Sequence, residues 1–228
     1  ADTTITNAYK PPALQTRATG SNMGAADALQ VFSIYGQQSS SAGLFSSVEK
    51  SRMLVRFPVA KILADRNAGT IPSSGSVSFF LRMFNARTPF TLPKDFTLRV
   101  QPVTTPWDEG GGLDMDTYID TGYANWIVAS SGSVSGQTNW TTEGGDYDSS
   151  TTFEANFPIG DEDMSIEVTP LVEQWVGFYN SWSDSWSSAT VATPTKLPAT
   201  GLNPTAGEYF GYATHLSDDA ATASVGGF

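Results

Sequence analysis

The sequence predicts an all-β fold: a single antiparallel β-sandwich, jelly-roll-like, with one short helix and an extended N-terminal arm. Three observations carry this expectation. Short runs alternate apolar and polar residues with period two. Clusters of Gly, Pro and Ser bound those runs, as turns between antiparallel strands require. One stretch alone has helical spacing, so the alternation of strand and helix that builds a parallel sheet is missing. A chain of 228 residues suits one such domain. Its 39% hydrophobic content, with six Trp and 13 Phe, supports a packed core and excludes global disorder.

Residues 1–26 read as the arm, because they carry Pro11-Pro12 and little apolar periodicity. The sandwich is then expected over 27–228. ALQVFSIY (28–35) is the first strand candidate. RMLVRF (52–57) alternates, with Met53, Val55 and Phe57 on one face and Arg52 and Arg56 on the other. SVSFFLRMF (76–84) is a long aromatic strand expected to be covered on both faces. FTLRVQPV (96–103) sends Phe96, Leu98 and Val100 one way and Thr97, Arg99 and Gln101 the other. Shorter candidates follow at 126–130, 151–157, 164–168 and 209–216. TPLVEQWVGFY (169–179) spaces Leu171, Val172, Trp175, Val176 and Tyr179 as a helix would, with Thr169 as N-cap and Pro170 in the first turn. Residues 180–203 read as a long loop containing SWSDSW.

Composition narrows the function. With no cysteine there is no disulfide, zinc-thiolate site or thiol nucleophile. No apolar run is long enough to span a bilayer, and the first residues lack the basic-then-apolar pattern of a signal peptide. Residues 1–99 carry 11 Lys/Arg against 5 Asp/Glu, a charge of +6. Residues 100–228 carry one Lys against 18 Asp/Glu, a charge of −17. The acidic half argues against nucleic acid, whose phosphates need Lys and Arg. The asymmetry suits contact between copies or with a basic partner, or an interleaving of the two halves within one fold.

The densest acidic and aromatic stretch is WDEGGGLDMDTYIDTGYANWIVASSG (107–132). Asp114, Asp116 and Asp120 are candidate calcium ligands, since calcium takes loop carboxylates. The spacing departs from an EF-hand, with Tyr118 where the third ligand belongs and Ile119 where Gly belongs. Asp108, Glu109, Asp146 and Asp148 would join such a site only through the fold. Trp107, Trp126 and Trp175 sit at strand or helix positions and are expected in the core. Trp182 and Trp186, in the Ser/Asp-rich segment, and Tyr118 and Tyr123, in the acidic stretch, are candidates for binding a glycan or a neighbouring subunit. The single histidine, His215, has no Cys or G-x-S-x-G partner to make a triad, and no phosphate loop is present. Asn139-Trp140-Thr141 matches the glycosylation sequon. No catalytic residues are assigned.

The order of several pieces resembles the DNRLRE-type domain, a β-sandwich family related to carbohydrate-binding modules. They are Asn22 and Gly24; then Arg52, Leu54 and Phe57; then Val103 and Trp107; and finally Val168, Thr169, Val172 and Trp175. Together with WDEG-GLDM, ANW and GGDY, they look like virion structural proteins of marine tailed phages. The resemblance implies a non-enzymatic particle component: a capsid decoration, tail or fibre-associated protein. Its partners would be other virion proteins or copies of itself, without a membrane. The rival expectation is a carbohydrate-binding module. The chain departs from the resemblance at 180–203, and again after Leu216, where further strands are expected. A neighbouring subunit could supply those by strand addition.

Overall fold

The structure, a computed structural model, describes residues 1–10, 15–40, 43–89, 91–115, 123–130, 136–186 and 211–217. It is an all-β fold in antiparallel sheets. The main sheet contains β1 (Asp2–Thr6), β2 (Ser33–Ser40), β3 (Gly43–Phe57), β5 (Phe96–Pro102), β8 (Phe153–Phe157) and β10 (Gly211–Ser217). Its order is β1-β3-β10-β5-β8, and β2 pairs with the first half of the long β3. Two short ladders accompany it. One joins β4 (Phe80–Met83) to β9 (Met164–Glu167), the other β6 (Val128–Ser130) to β7 (Thr138–Asn139). Among the described residues there are two helices, α1 (Val59–Asn67) and α2 (Thr169–Trp186). Neither is long and apolar enough to cross a membrane.

The main sheet is covered on both faces, and adjacent residues of β3 show why. Met53 points into one apolar cluster and Leu54 into another, because successive strand side chains face opposite ways. The first cluster joins Met53, Leu98, Val100 and Phe157 of the sheet to Leu81, Met164 and Ile166 of the β4–β9 ladder. Val59 and Leu63 of α1 and Leu171, Val172, Trp175 and Val176 of α2 complete it. At its edge Phe96 and Phe157 stack with ring centroids 4.8 Å apart. The second cluster packs Ile5 and Leu54 against Val103, Trp107, Ala124, Trp126, Ala129 and Trp140. The aromatic and acidic stretch is therefore the cover of the sheet's second face, with Trp107 and Trp126 anchored inside as expected.

Several expectations are corrected. Residues 1–10 and 15–26 do not stand away as an arm. Residues 2–6 form edge strand β1 on β3, and Thr3, Thr4, Ile5, Thr6, Ser21, Asn22 and Met23 are buried. Threonines supply this burial, which a search for apolar periodicity overlooks. The described residues hold two helices where one was expected. Immediately after Phe57, Pro58 ends β3 by removing a backbone donor. Val59, Ile62 and Leu63 then recur at helical spacing, and Gly69, with φ of +75°, takes the left-handed position that closes the helix. The stretch 76–84 yields a four-residue strand with one partner, and Phe80 and Phe84 are exposed rather than covered on both faces.

Helix α2 runs on to Trp186, so the first part of the expected 180–203 loop is helical. The rest of that loop lies outside the described residues. Thr169 does not spend its hydroxyl on capping α2. Thr169 Oγ1 accepts from the Phe79 amide at 2.7 Å and ties the entry of β4 to the helix start.

Candidate docking surface

The cover of the second face is held by polar groups that leave little of it free. The Asn22 side chain is fully buried. Its Nδ2 lies within donor distance of Thr3 Oγ1 (3.1 Å), Glu109 O (2.7 Å) and Ala124 O (2.7 Å). Its Oδ1 accepts from the amides of Gly24 (2.8 Å) and Gly112 (3.2 Å). One amide thus joins β1, the segment after it and both ends of the acidic stretch. Gly24 is required for space, since a Cβ there would run into the Glu109 carbonyl oxygen. Asn125 performs the same service nearby. Its Oδ1 accepts from the Ile127 and Val128 amides, and its carbonyl accepts from Trp140 Nε1 at 2.7 Å.

The arginines of β3 also face this cover. Arg52 is buried with its guanidinium 5.1 Å from the Trp126 ring centroid and 5.5 Å from that of Tyr147. It donates to Gly144 O at 2.6 Å. Arg56 lies 5.2 Å from the Trp107 ring and donates to Trp107 O. These are cation–π contacts in a desolvated setting, where they are strongest. The face of β3 that looked polar in sequence is interior.

The acidic residues divide by role. Asp146 accepts from Thr105 Oγ1 and from the amides of Thr141 and Thr142, which fixes the turn after Trp140. Asp148 accepts from the Ser150 amide and hydroxyl, and Glu109 from the Asp2 amide. Those three carboxylates hold loops. Asp114 is exposed, whereas Asp116, Tyr118 and Asp120 lie outside the described residues. No group of three metal-binding side chains occurs among the described residues. Tyr123 is partly exposed. Trp182 and Trp186 belong to the backbone of α2 and not to a loop.

The surface that stands open is elsewhere, and sequence reasoning missed it. A groove of about 300 Å³ runs between α1, β4 and the first turns of α2. Phe57, Ile62, Phe79, Phe80, Leu171 and Trp175 are among its lining residues, and Lys61 and Asp65 are the charged ones. Those two pair with each other at 3.1 Å, one helical turn apart. Phe80 is 50% exposed, and Phe84, just past the end of β4, is 81% exposed. Large apolar side chains in that state make this surface a candidate for contact. The signal lay in the run of Phe and Met at 79–84, which was read as a two-sided strand. What hid the surface was α1, whose apolar spacing spans barely two turns.

Beside the groove Arg66 and Glu173 form a bidentate ion pair, Nη2–Oε1 2.7 Å and Nη1–Oε2 2.9 Å. It locks α1 to α2 and fixes one wall. The hydrogen bond from Arg66 holds the Glu173 carboxyl below its ordinary range, and Glu173 in turn raises Arg66.

No family model, curated protein or solved structure matches the chain.

Proposed function

We propose that this protein is a non-enzymatic structural component of a phage virion, a capsid decoration, tail or fibre-associated protein that works by self-association and docking. The observation that carries the docking part is the apolar groove lined by the exposed Phe57 and Phe80, with exposed Phe84 just past the end of β4. Its charged residues, Lys61 and Asp65, neutralise each other on the rim and offer poor means for bond-making chemistry. The occupant is another copy of the chain. The virion part rests on the resemblance of WDEG-GLDM, ANW and GGDY, taken with the ordered positions Asn22, Gly24, Arg52, Leu54, Phe57, Val103, Trp107, Val168, Thr169, Val172 and Trp175. Of these, Asn22, Arg52, Leu54, Val103, Trp107, Val168, Val172 and Trp175 are buried, Gly24 is hemmed in by Glu109, and Phe57 is exposed.

A glycan-binding module draws less support, since Trp107, Trp126, Trp140 and Trp175 are all buried. It would depend on Tyr118, Tyr123, Trp182 and Trp186. Calcium at Asp114, Asp116 and Asp120 stands on sequence alone. Two measurements test the main reading. Quantitative peptide mass spectrometry on purified particles should find the chain at a fixed ratio to the major shell protein, and its presence only in the soluble fraction would remove the virion role. Phe80→Ser and Phe84→Ser should weaken self-association at least tenfold in sedimentation, as loss of interface anchors does.

A further inference from the structure

We infer that the outer face of the β4–β9 ladder is a self-complementary contact, on which a second copy of this chain packs about a two-fold axis with its β9 over β4. This rests on the self-association reading above and names the surface. The ladder pairs Phe80 with Glu167, Leu81 with Ile166, Arg82 with Ser165 and Met83 with Met164. Alternation sorts these residues onto two faces. Leu81, Met164 and Ile166 enter the first apolar cluster, and Met83 packs against it. Phe80, Arg82, Ser165 and Glu167 are exposed on the other side. Phe84 and Asp163, one step beyond the ladder, continue the alternation, and both are exposed.

The exposed face is divided lengthwise by charge. Residues 79–94, which contain β4, carry Arg82, Arg87 and Lys94 and no carboxylate. Residues 161–167, which contain β9, carry Asp161, Glu162, Asp163 and Glu167 and no cation. Asp163 and Glu167 lie diagonally from Arg82 across its own ladder, yet no ion pair joins them. Each strip therefore presents its charge outward.

A two-fold axis along the ladder, midway between its strands, exchanges the strips, so that β4 of each copy faces β9 of the other. Register then sets Arg82 over Ser165 of the second copy, between that copy's Asp163 and Glu167. The planar guanidinium can take either carboxylate through paired N–H groups. The same rotation makes every contact twice, as an isologous interface requires. A purely acidic or purely basic partner matches only one of the two strips, whereas a second copy matches both. Phe80 and Phe84 supply apolar area beside the charges. Phe80 also lines the groove, so face and groove form one continuous surface.

The test is a charge exchange between copies. Full-length Arg82→Glu and Glu167→Arg variants are followed by sedimentation, each alone and in equimolar mixture. Alone, each variant makes both symmetric contacts repulsive, which lowers its association constant at least about tenfold. Melting temperatures stay close to the wild type, because both side chains are exposed. In the mixture each introduced carboxylate meets an introduced guanidinium, and the unaltered Arg82 meets the unaltered Glu167. Heterodimers then form at least about tenfold more tightly than either variant alone. Misfolding would not be recovered by mixing. Single variants that associate as tightly as the wild type overturn this face, and self-association then stands on another surface. Single variants that weaken but are not rescued in the mixture overturn the facing of β4 with β9. A wild-type chain that stays monomeric at every concentration removes both this face and the self-association reading.

Discussion

Asn22 is the residue whose loss should be felt most widely. Asn22→Ala strands several buried backbone groups at once, and each unsatisfied group costs about 1–3 kcal/mol. We expect a destabilisation of at least about 3 kcal/mol, or a fall of roughly 6–12 °C in Tm for a chain of this size, measured by thermal unfolding. Gly24→Ala should act similarly by forcing Glu109 away. Arg52→Lys should also destabilise, because an ammonium cannot lie flat over Trp126 and Tyr147 while donating to Gly144. The burial of Trp107, Trp126 and Trp175 was legible from their positions in strands and a helix. The interior placement of Arg52 was not, since an alternating strand with charges on one face looks half-solvated until its cover is known. Calcium belongs to this scale too. Asp146 and Asp148 already hold turns, and calcium at Asp114, Asp116 and Asp120 is a proposal from sequence. Equal melting with calcium and with chelator would end that proposal.

At the scale of elements, the strands whose flanks carry turn residues were found close to their places, notably 96–103, 151–157 and 164–168. Strand β1 escaped because its buried side chains are mostly threonines. Helix α1 escaped because it is nine residues long and follows a strand without a capping side chain. It is held by the Arg66–Glu173 pair. The Glu173 pKa is depressed in the fold, so the pair's stabilisation is present above the ordinary glutamate range and lost as pH falls through the lowered value. Glu173→Gln should cost about 1 kcal/mol at neutral pH. The deficit should shrink toward zero in acid, as read from denaturant midpoints at several pH values. Because the pair sets one wall of the groove, the same variant should weaken self-association at neutral pH.

For the whole molecule, the charge asymmetry between the halves is taken up partly inside the fold. Arg66 and Arg99 of the basic half pair with Glu173 and Glu154 of the acidic half. Interleaving was one of the readings open in the sequence, and only the three-dimensional arrangement brings those partners together. The groove was not legible at all, because its walls come from the end of β3, from α1, from β4 and from α2. Phe84→Ser separates association from folding: at 81% exposure it should change Tm little while lowering the association constant.

The place of β10 also bears on how the chain is made. Roughly 115 residues are synthesised between Pro102 and Ser217, which takes on the order of 6–23 s at ordinary translation rates. During that interval the nascent chain carries two sheet halves with open inner edges at β3 and β5, each a template for unwanted pairing. Among the described strands β10 comes latest in sequence, so the main sheet closes only once Gly211–Ser217 has been made, and its contacts with β3 have a high contact order.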